Sequence, residues 1–212
     1  MSSFIPSGPI TATVDGQIIS GRAFSGSGIQ ITIPPGLTGV VVEDCDLVST
    51  GSHCISNQGT GTIVRHNRLH DSYSGVLIYA VTNTQVVKNI FDTVNLGGQF
   101  DGHAINNIYS VGPTLIDDNY FVGINYPSDV VSNFQTSRVT KTNNEYDVDI
   151  AEPSGAAFTM GDGLEPVNRG RDNYIARNRV SQSRGVPCGV FGWRPPAALV
   201  VELSDLLAGG PP

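Results

Sequence analysis

Little in this chain is charged. Of 212 residues only 15% are Asp, Glu, Lys or Arg, and 12 basic against 19 acidic side chains leave a net charge of −7. No run of lysine or arginine occurs, which argues against a protein held to nucleic acid by counterion release. The same balance repels an acidic polysaccharide unless a bound cation or a local basic patch intervenes. Cysteine is scarce as well. Cys45, Cys54 and Cys188 are odd in number and form no CxxC or other metal-like spacing, so they read as small buried apolar side chains rather than a disulfide framework or a zinc site. No apolar run approaches a membrane span, and the start "MSSFIPSGPI" lacks the basic region and apolar stretch of a secretory signal. The expectation is a chain with no signal peptide and no membrane insertion. It would be cytoplasmic, or part of a virion or the cell exterior after lysis.

What is abundant is glycine and proline, 25 and 13 residues, beside many Thr, Val, Ile and Asn. Helix-rich proteins rarely have this composition, and the length suits one domain with one substantial core. Seven segments stack on one another: "IISGRAF", "VVVEDCDL", "TIVRHNRL", "TQVVKNIF", "TLIDDNYF", "RVTKTNNE" and "NYIARNRV". Their register falls on Arg22, Cys45, Asn67, Asn89, Asn119, Asn143 and Asn178, at intervals of 23, 22, 22, 30, 24 and 35 residues. Three residues earlier stand Ile19, Val42, Val64, Val86, Ile116, Thr140 and Ile175, and two residues later Phe24, Leu47, Leu69, Phe91, Phe121, Glu145 and Val180. The sixth segment is the poor match.

Each segment is short and rich in β-branched residues, and reads as a strand. Turn formers such as "STGS", "NQGTG" and "SVGP" lie between, and a second apolar strand follows several, as in "HCIS", "GVLIYA", "HAINNI" and "GAAFTM". Strands recurring at this interval with no crossover helix suit a parallel β-helix, its coils stacked about 4.8 Å apart. Asparagine tolerates a left-handed backbone at a bend, and its amide both donates and accepts, so stacked copies can bond as a ladder. Cys45 would be a small buried substitute in that column.

With segments like "TIVRHNRLHDS" and "TLIDDNYFVG", the chain resembles the pectate-lyase-like superfamily of right-handed parallel β-helix proteins over residues 17–192. The resemblance implies an all-β, single-stranded right-handed parallel β-helix. It leaves activity open, because the superfamily includes polysaccharide lyases, hydrolases, epimerases, phage tailspikes and non-catalytic surface proteins. Residues 1–16 read as an extended lead-in across the first coil. In residues 193–212 the tail "RPPAALVVELSDLLAGG" reads as a short C-terminal helix, with Pro195 and Pro196 at its start, Leu199, Leu203, Leu206 and Leu207 on one face and Gly209 at its stop. Such a helix would close the solenoid or make a subunit contact, around a threefold axis in a homotrimer.

The stretch "IVRHNRLHD" concentrates basic side chains. The repeat accounts for its strand, ladder and core positions and leaves Arg65, His66, Arg68 and His70 over. Together with Lys88, Asp117, Asp118, Glu43 and Asp44 they form an expected outward strip of mixed charge. Superfamily members that cleave acidic polysaccharides by β-elimination use Arg or Lys as the base, with Ca²⁺ or a cation cluster stabilising the developing charge. The resemblance thus makes Arg65, His66 and Lys88 candidate catalytic groups, while a solvated sheet face explains them equally. In "QFDGHAI", Asp101 and His103 resemble parts of the hydrolase and uronate-epimerase branches, with neither motif complete. Hydrolysis would need facing carboxylates, of which Asp101, Asp117 and Asp118 are the supply. In "YDVDIAE", Asp147, Asp149 and Glu152 form either a calcium site or a solvated acidic edge.

Tyr120, which should point outward while Phe121 points inward, is placed to stack on sugar together with Asp117, Asp118 and Arg68. Tyr126, Phe134 and Trp193 are further aromatic candidates, Trp193 fitting equally beneath the tail helix. The combined expectation is a structural or glycan-contacting module of an extracellular or virion assembly, like a phage tailspike segment or decoration protein. Its partners would be polysaccharide or other virion or surface proteins. The alternative is a polysaccharide lyase or uronate epimerase working through the basic face.

Overall fold

The computed structural model describes residues 4–95, 102–123, 130–134, 136–147, 159–160, 174–181, 191–192 and 200–201. Strands recur in threes along the chain, and each strand pairs in parallel with its counterpart one coil away. Among the described residues this gives a parallel β-solenoid whose first and third sheets have eight strands each and whose second has six. Pairing begins at Ile5, which lies beside Arg22, so the lead-in contributes strands to a first coil. The tail helix lies outside the described residues, apart from Val200–Val201, which pair in parallel with Tyr174 and Ile175.

Each repeat segment read as one strand is in fact two strands meeting at a corner. Ile18–Ser20 belongs to the third sheet and Arg22–Gly26 to the first, and the same break separates Ile63–Arg65 from Arg68–Ser72. The break is made by one residue per coil in the left-handed region: Gly21, Asp44, His66, Lys88, Asp118, Asn143 and Arg177, with φ between 51° and 67°. A left-handed residue cannot continue a strand. The bend thus belongs to the position before the asparagine column rather than to the column itself.

The asparagines serve the corner in another way. Asn67, Asn89, Asn119, Asn144 and Asn178 each turn their amide inward and donate it to a carbonyl one coil back, on Val42, Val64, Val86, Ile116 and Lys141, at 2.8–3.0 Å. Each Oδ1 from Asn89 onward accepts both the main-chain N–H and the side-chain amide of the preceding asparagine, and Asn67 Oδ1 accepts the Cys45 N–H at 3.0 Å. Main-chain groups released where the strand breaks are thereby satisfied inside the core.

In the sixth segment the column residue is Asn144, not Asn143, and the intervals around it are 25 and 34 residues. With that shift the poor match disappears. The inward column of the third sheet runs Ile19, Val42, Val64, Val86, Ile116 and Lys141, whose backbone pairs onward with Ile175, and the inward column of the first runs Phe24, Leu47, Leu69, Phe91, Phe121 and Tyr146, whose backbone pairs onward with Val180. Lys141 and Tyr146 are fully buried at these positions. Phe91, Phe121 and Tyr146 stack nearly parallel, with centroids 4.9 and 4.7 Å apart. A shorter ladder lies inside the second sheet, where the Asn107 amide donates to Asn133 Oδ1 at 3.1 Å.

Cys45 and Cys54 are buried free thiols, and Cys45 fills the column position expected of it. Burial raises both thiols above the ordinary cysteine range, Cys54 to about 12. Cys188 lies outside the described residues. The third-to-first corner has one connecting residue in the first coil, Gly21, and two in each later coil, as between Arg65 and Arg68 or Asp117 and Tyr120. The first-to-second connection is short between Ser72 and Ser74 but long between Val94 and Ile105 and between Val122 and Val131.

Candidate functional site

The register assembles the expected strip along the third-to-first corner. Glu43, Arg65, Val87, Asp117 and Thr142 are neighbours on the last position of the third sheet, and Asp44, His66, Lys88, Asp118 and Asn143 occupy the left-handed position beside them. Most of these groups are already engaged across coils. Arg65 directs Nη2 and Nε to Glu43 Oε2, at 2.7 and 2.8 Å. His66 Nδ1 lies 3.9 Å from Asp44 Oδ1. Asp117 Oδ1 accepts from Thr142 Oγ1 at 2.6 Å and from Asn143 Nδ2 at 2.7 Å. Lys88 and Asp118 are exposed, and Lys88 has no ion-pair partner among the described residues.

On the first sheet Arg68 pairs with Asp92 at 2.9 Å, and His70 sits between Asp71 (2.7 Å) and Asp46 (3.1 Å). Tyr120 faces outward between Ile90 and Glu145 while Phe121 is fully buried. His103 is not part of this group. It leads into the second sheet, 9% exposed, and its carbonyl accepts from Ser74 Oγ and the Gly75 N–H. Asp101, Asp149, Glu152, Tyr126 and Trp193 lie outside the described residues. Asp147 ends a strand that pairs with Tyr120–Val122. Among the described residues no three His, Cys, Asp or Glu side chains are grouped to hold a metal ion.

The Arg68–Asp92 pair has a measurable signature. Its hydrogen bond to Arg68 holds the Asp92 carboxyl below its ordinary range and raises the guanidinium. A depressed carboxylate contributes stability that is present above its unfolded pKa and lost as pH falls through the folded one. Both side chains are partly solvated, so the contribution is about 0.2–1 kcal/mol. Asp92→Asn is expected to lower the urea midpoint slightly at neutral pH, and the difference from the parent should close as the solution is acidified below the ordinary aspartate range. A difference that stays constant with pH would assign the loss to packing.

A second surface lies at the second-to-third corner of three successive coils, and of its residues the sequence reading anticipated Phe134 alone. Tyr79 and Tyr109 are 38% and 41% exposed. Tyr109 meets Tyr79 edge to face at 5.6 Å and Phe134 at 5.7 Å, so three rings form a strip along the solenoid axis. Tyr109 holds φ at 56°, which costs a bulky L-residue about 1–2 kcal/mol. Ala80, at the corresponding place one coil earlier, holds the same conformation. A few residues further along the same coils, the outward side chains Gln85, Leu115 and Thr140 line a shallow groove of about 150 Å³ together with Asn83 and Pro113. Among the described residues no ionisable side chain lines it, and Arg138 is exposed two residues before Thr140. In register Tyr79 and Phe134 stand on either side of Ile108, and Tyr109 is the next residue, at the corner.

No protein-family model matches the chain, and no curated protein matches it significantly.

Proposed function

We propose that the chain is a module of the pectate-lyase-like right-handed β-helix kind that contacts glycan without cleaving it, within an extracellular or virion assembly such as a tailspike or decoration protein. The observation that carries this reading is the engagement of the outward cations. A base for β-elimination must be free to take a proton beside the substrate carboxylate, and the Arg65 guanidinium is bound through two nitrogens to Glu43. Arg68 is held by Asp92 through Nη2 alone, at 2.9 Å. Ion pairs between adjacent coils fit a scaffold face better than a reaction centre.

Lys88 favours a second reading, a polysaccharide lyase or uronate epimerase. Its ammonium is exposed, one coil from His66 on the same left-handed column. The two readings separate on a panel of pectate, alginate and hyaluronan. A non-catalytic module leaves the unsaturated-uronate absorbance flat and incorporates no solvent deuterium at C5, while forming a stable oligomer by light scattering. A rise in either signal that is abolished by Lys88→Ala would replace the scaffold reading with the enzymatic one.

A further inference from the structure

The ridge along the third-to-first corner carries its charges in a particular order. Its left-handed column runs Asp44, His66, Lys88, Asp118, Asn143 and Arg177, all of them exposed. Beside it the outward column that opens the first sheet runs Asp46, Arg68, Ile90, Tyr120, Glu145 and Arg179. Laid against itself in reverse, each column sets every charge opposite a charge of the other sign or a neutral group. We infer that two copies of the chain pair along this ridge with their solenoid axes antiparallel, about a twofold axis that passes between the coils of Lys88 and Asp118. The inference goes beyond glycan contact and does not depend on it. It names the partner as a second copy, about a twofold rather than a threefold axis.

A twofold contact is isologous, so whatever one copy offers the other must accept at the matching place. In the first column Asp44 meets Arg177 of the partner subunit, His66 meets Asn143 of the partner subunit, and Lys88 meets Asp118 of the partner subunit. In the second, Asp46 meets Arg179 of the partner subunit and Arg68 meets Glu145 of the partner subunit. At the centre exposed Ile90 meets Tyr120 of the partner subunit, and symmetry repeats that apolar contact. Lys88 and Asp118, which have no ion-pair partner among the described residues, each gain one. Neighbouring registers fail. A slide of one coil sets Lys88 on its own copy and Asp46 against Glu145, and the opposite slide sets Asp118 on its own copy and Arg68 against Arg179. A parallel pair would face Asp44 with Asp46 and Arg177 with Arg179, and like charges so placed are disfavoured. The column that ends the third sheet, from Glu43 to Ala176, brings no like charges together in the antiparallel register. The strip spans five coil intervals, roughly 24 Å at about 4.8 Å each. Such a contact is narrow and belongs with small, dissociable interfaces, so charge governs its strength and salt weakens it.

The test is sedimentation velocity of the full chain over a concentration series. At about 20 mM salt the sedimenting species should grow from one chain to two as concentration rises, and at about 0.5 M it should return to one. Lys88→Glu places two acidic groups against each other on both sides of the axis and should weaken association about tenfold or more. Asp118→Lys does the same with two cations. Each variant alone should sediment as one chain, whereas an equimolar mixture of the two should pair again, because every contact between positions 88 and 118 then joins opposite charges. Both side chains are exposed, and an unchanged melting curve for each variant checks the fold. A mixture that stays monomeric while the parent pairs overturns the register. A parent that sediments as one chain at low salt, or as three, overturns the twofold pair. Pairing that ignores both salt and the two reversals overturns the ridge as the interface.

Discussion

The Asn119→Ala variant is expected to lose about 3 kcal/mol or more of stability, a large part of what a domain of this size possesses. The side chain it removes donates to the Val86 carbonyl at 2.8 Å and accepts the Asn89 N–H at 3.0 Å, both inside the core. Alanine leaves these two main-chain groups without partners in a place water cannot reach. Each stranded group costs about 1–3 kcal/mol, and the amide of Asn89 loses one acceptor in addition. Urea denaturation followed by circular dichroism measures the loss.

The sixth coil offers a sharper version of the same experiment. Asn144→Ala should cost several times what Asn143→Ala costs, since Asn144 is buried in the ladder and Asn143 is exposed at the corner. Equal losses at the two positions would refute the assignment of the column to Asn144. Stability in a stacked solenoid is a sum of neighbouring interfaces, so a defect at Asn119 is also expected to reduce cooperativity, visible as a lower m-value.

The second large effect is expected from Phe121→Ala, at about 3–5 kcal/mol. The ring is fully buried between Phe91 and Tyr146, and both neighbours lie within 11° of parallel to it. Removing it opens a cavity between two planar groups that are themselves fixed by the sheet and cannot close on each other. Phe121→Leu should recover most of the loss, because Leu69 and Leu47 occupy the same column two and three coils earlier. Tyr120→Ala, one residue away on the outward face, should be much milder. If the two alanine variants unfold at the same denaturant concentration, the inward and outward faces of this strand have been exchanged.

The architecture was legible because one interval near 22 residues and one residue type recur together. The first five coils align on Val42, Val64 and Val86 with Asn67 and Asn89 without ambiguity. The alignment failed where a rule of burial failed. Alignment on Asn143 puts Thr140 and Glu145 at inward positions, whereas the core holds Lys141 and Tyr146, and a fully buried lysine is rare enough that the pattern gives no hint of it. The corner was missed for a related reason. Histidine, lysine and arginine carry no local sign of a left-handed backbone, yet His66, Lys88 and Arg177 all adopt it.

The charged strip was legible as a set of residue types and illegible as chemistry. Glu43 and Arg65 are 22 residues apart, and Arg68 and Asp92 are 24 apart. Only a known register shows that they meet and are spent on each other. Tyr79 and Tyr109 were overlooked because an aromatic at a strand end is ordinary by itself. Only the folded register brings them edge to face across adjacent coils.

Because the corner between the third and first sheets holds at two residues from the second coil onward while the connection from first to second varies, chain length and coil geometry are decoupled. The asparagine ladder fixes the phase of every coil, and the connection after Val94 absorbs added residues without shifting a single inward side chain. A lineage built on this plan can therefore gain or lose segments at one corner while its inward columns stay in phase. Its members would align by column rather than by overall length, and their divergence would be greatest along that one ridge of the solenoid.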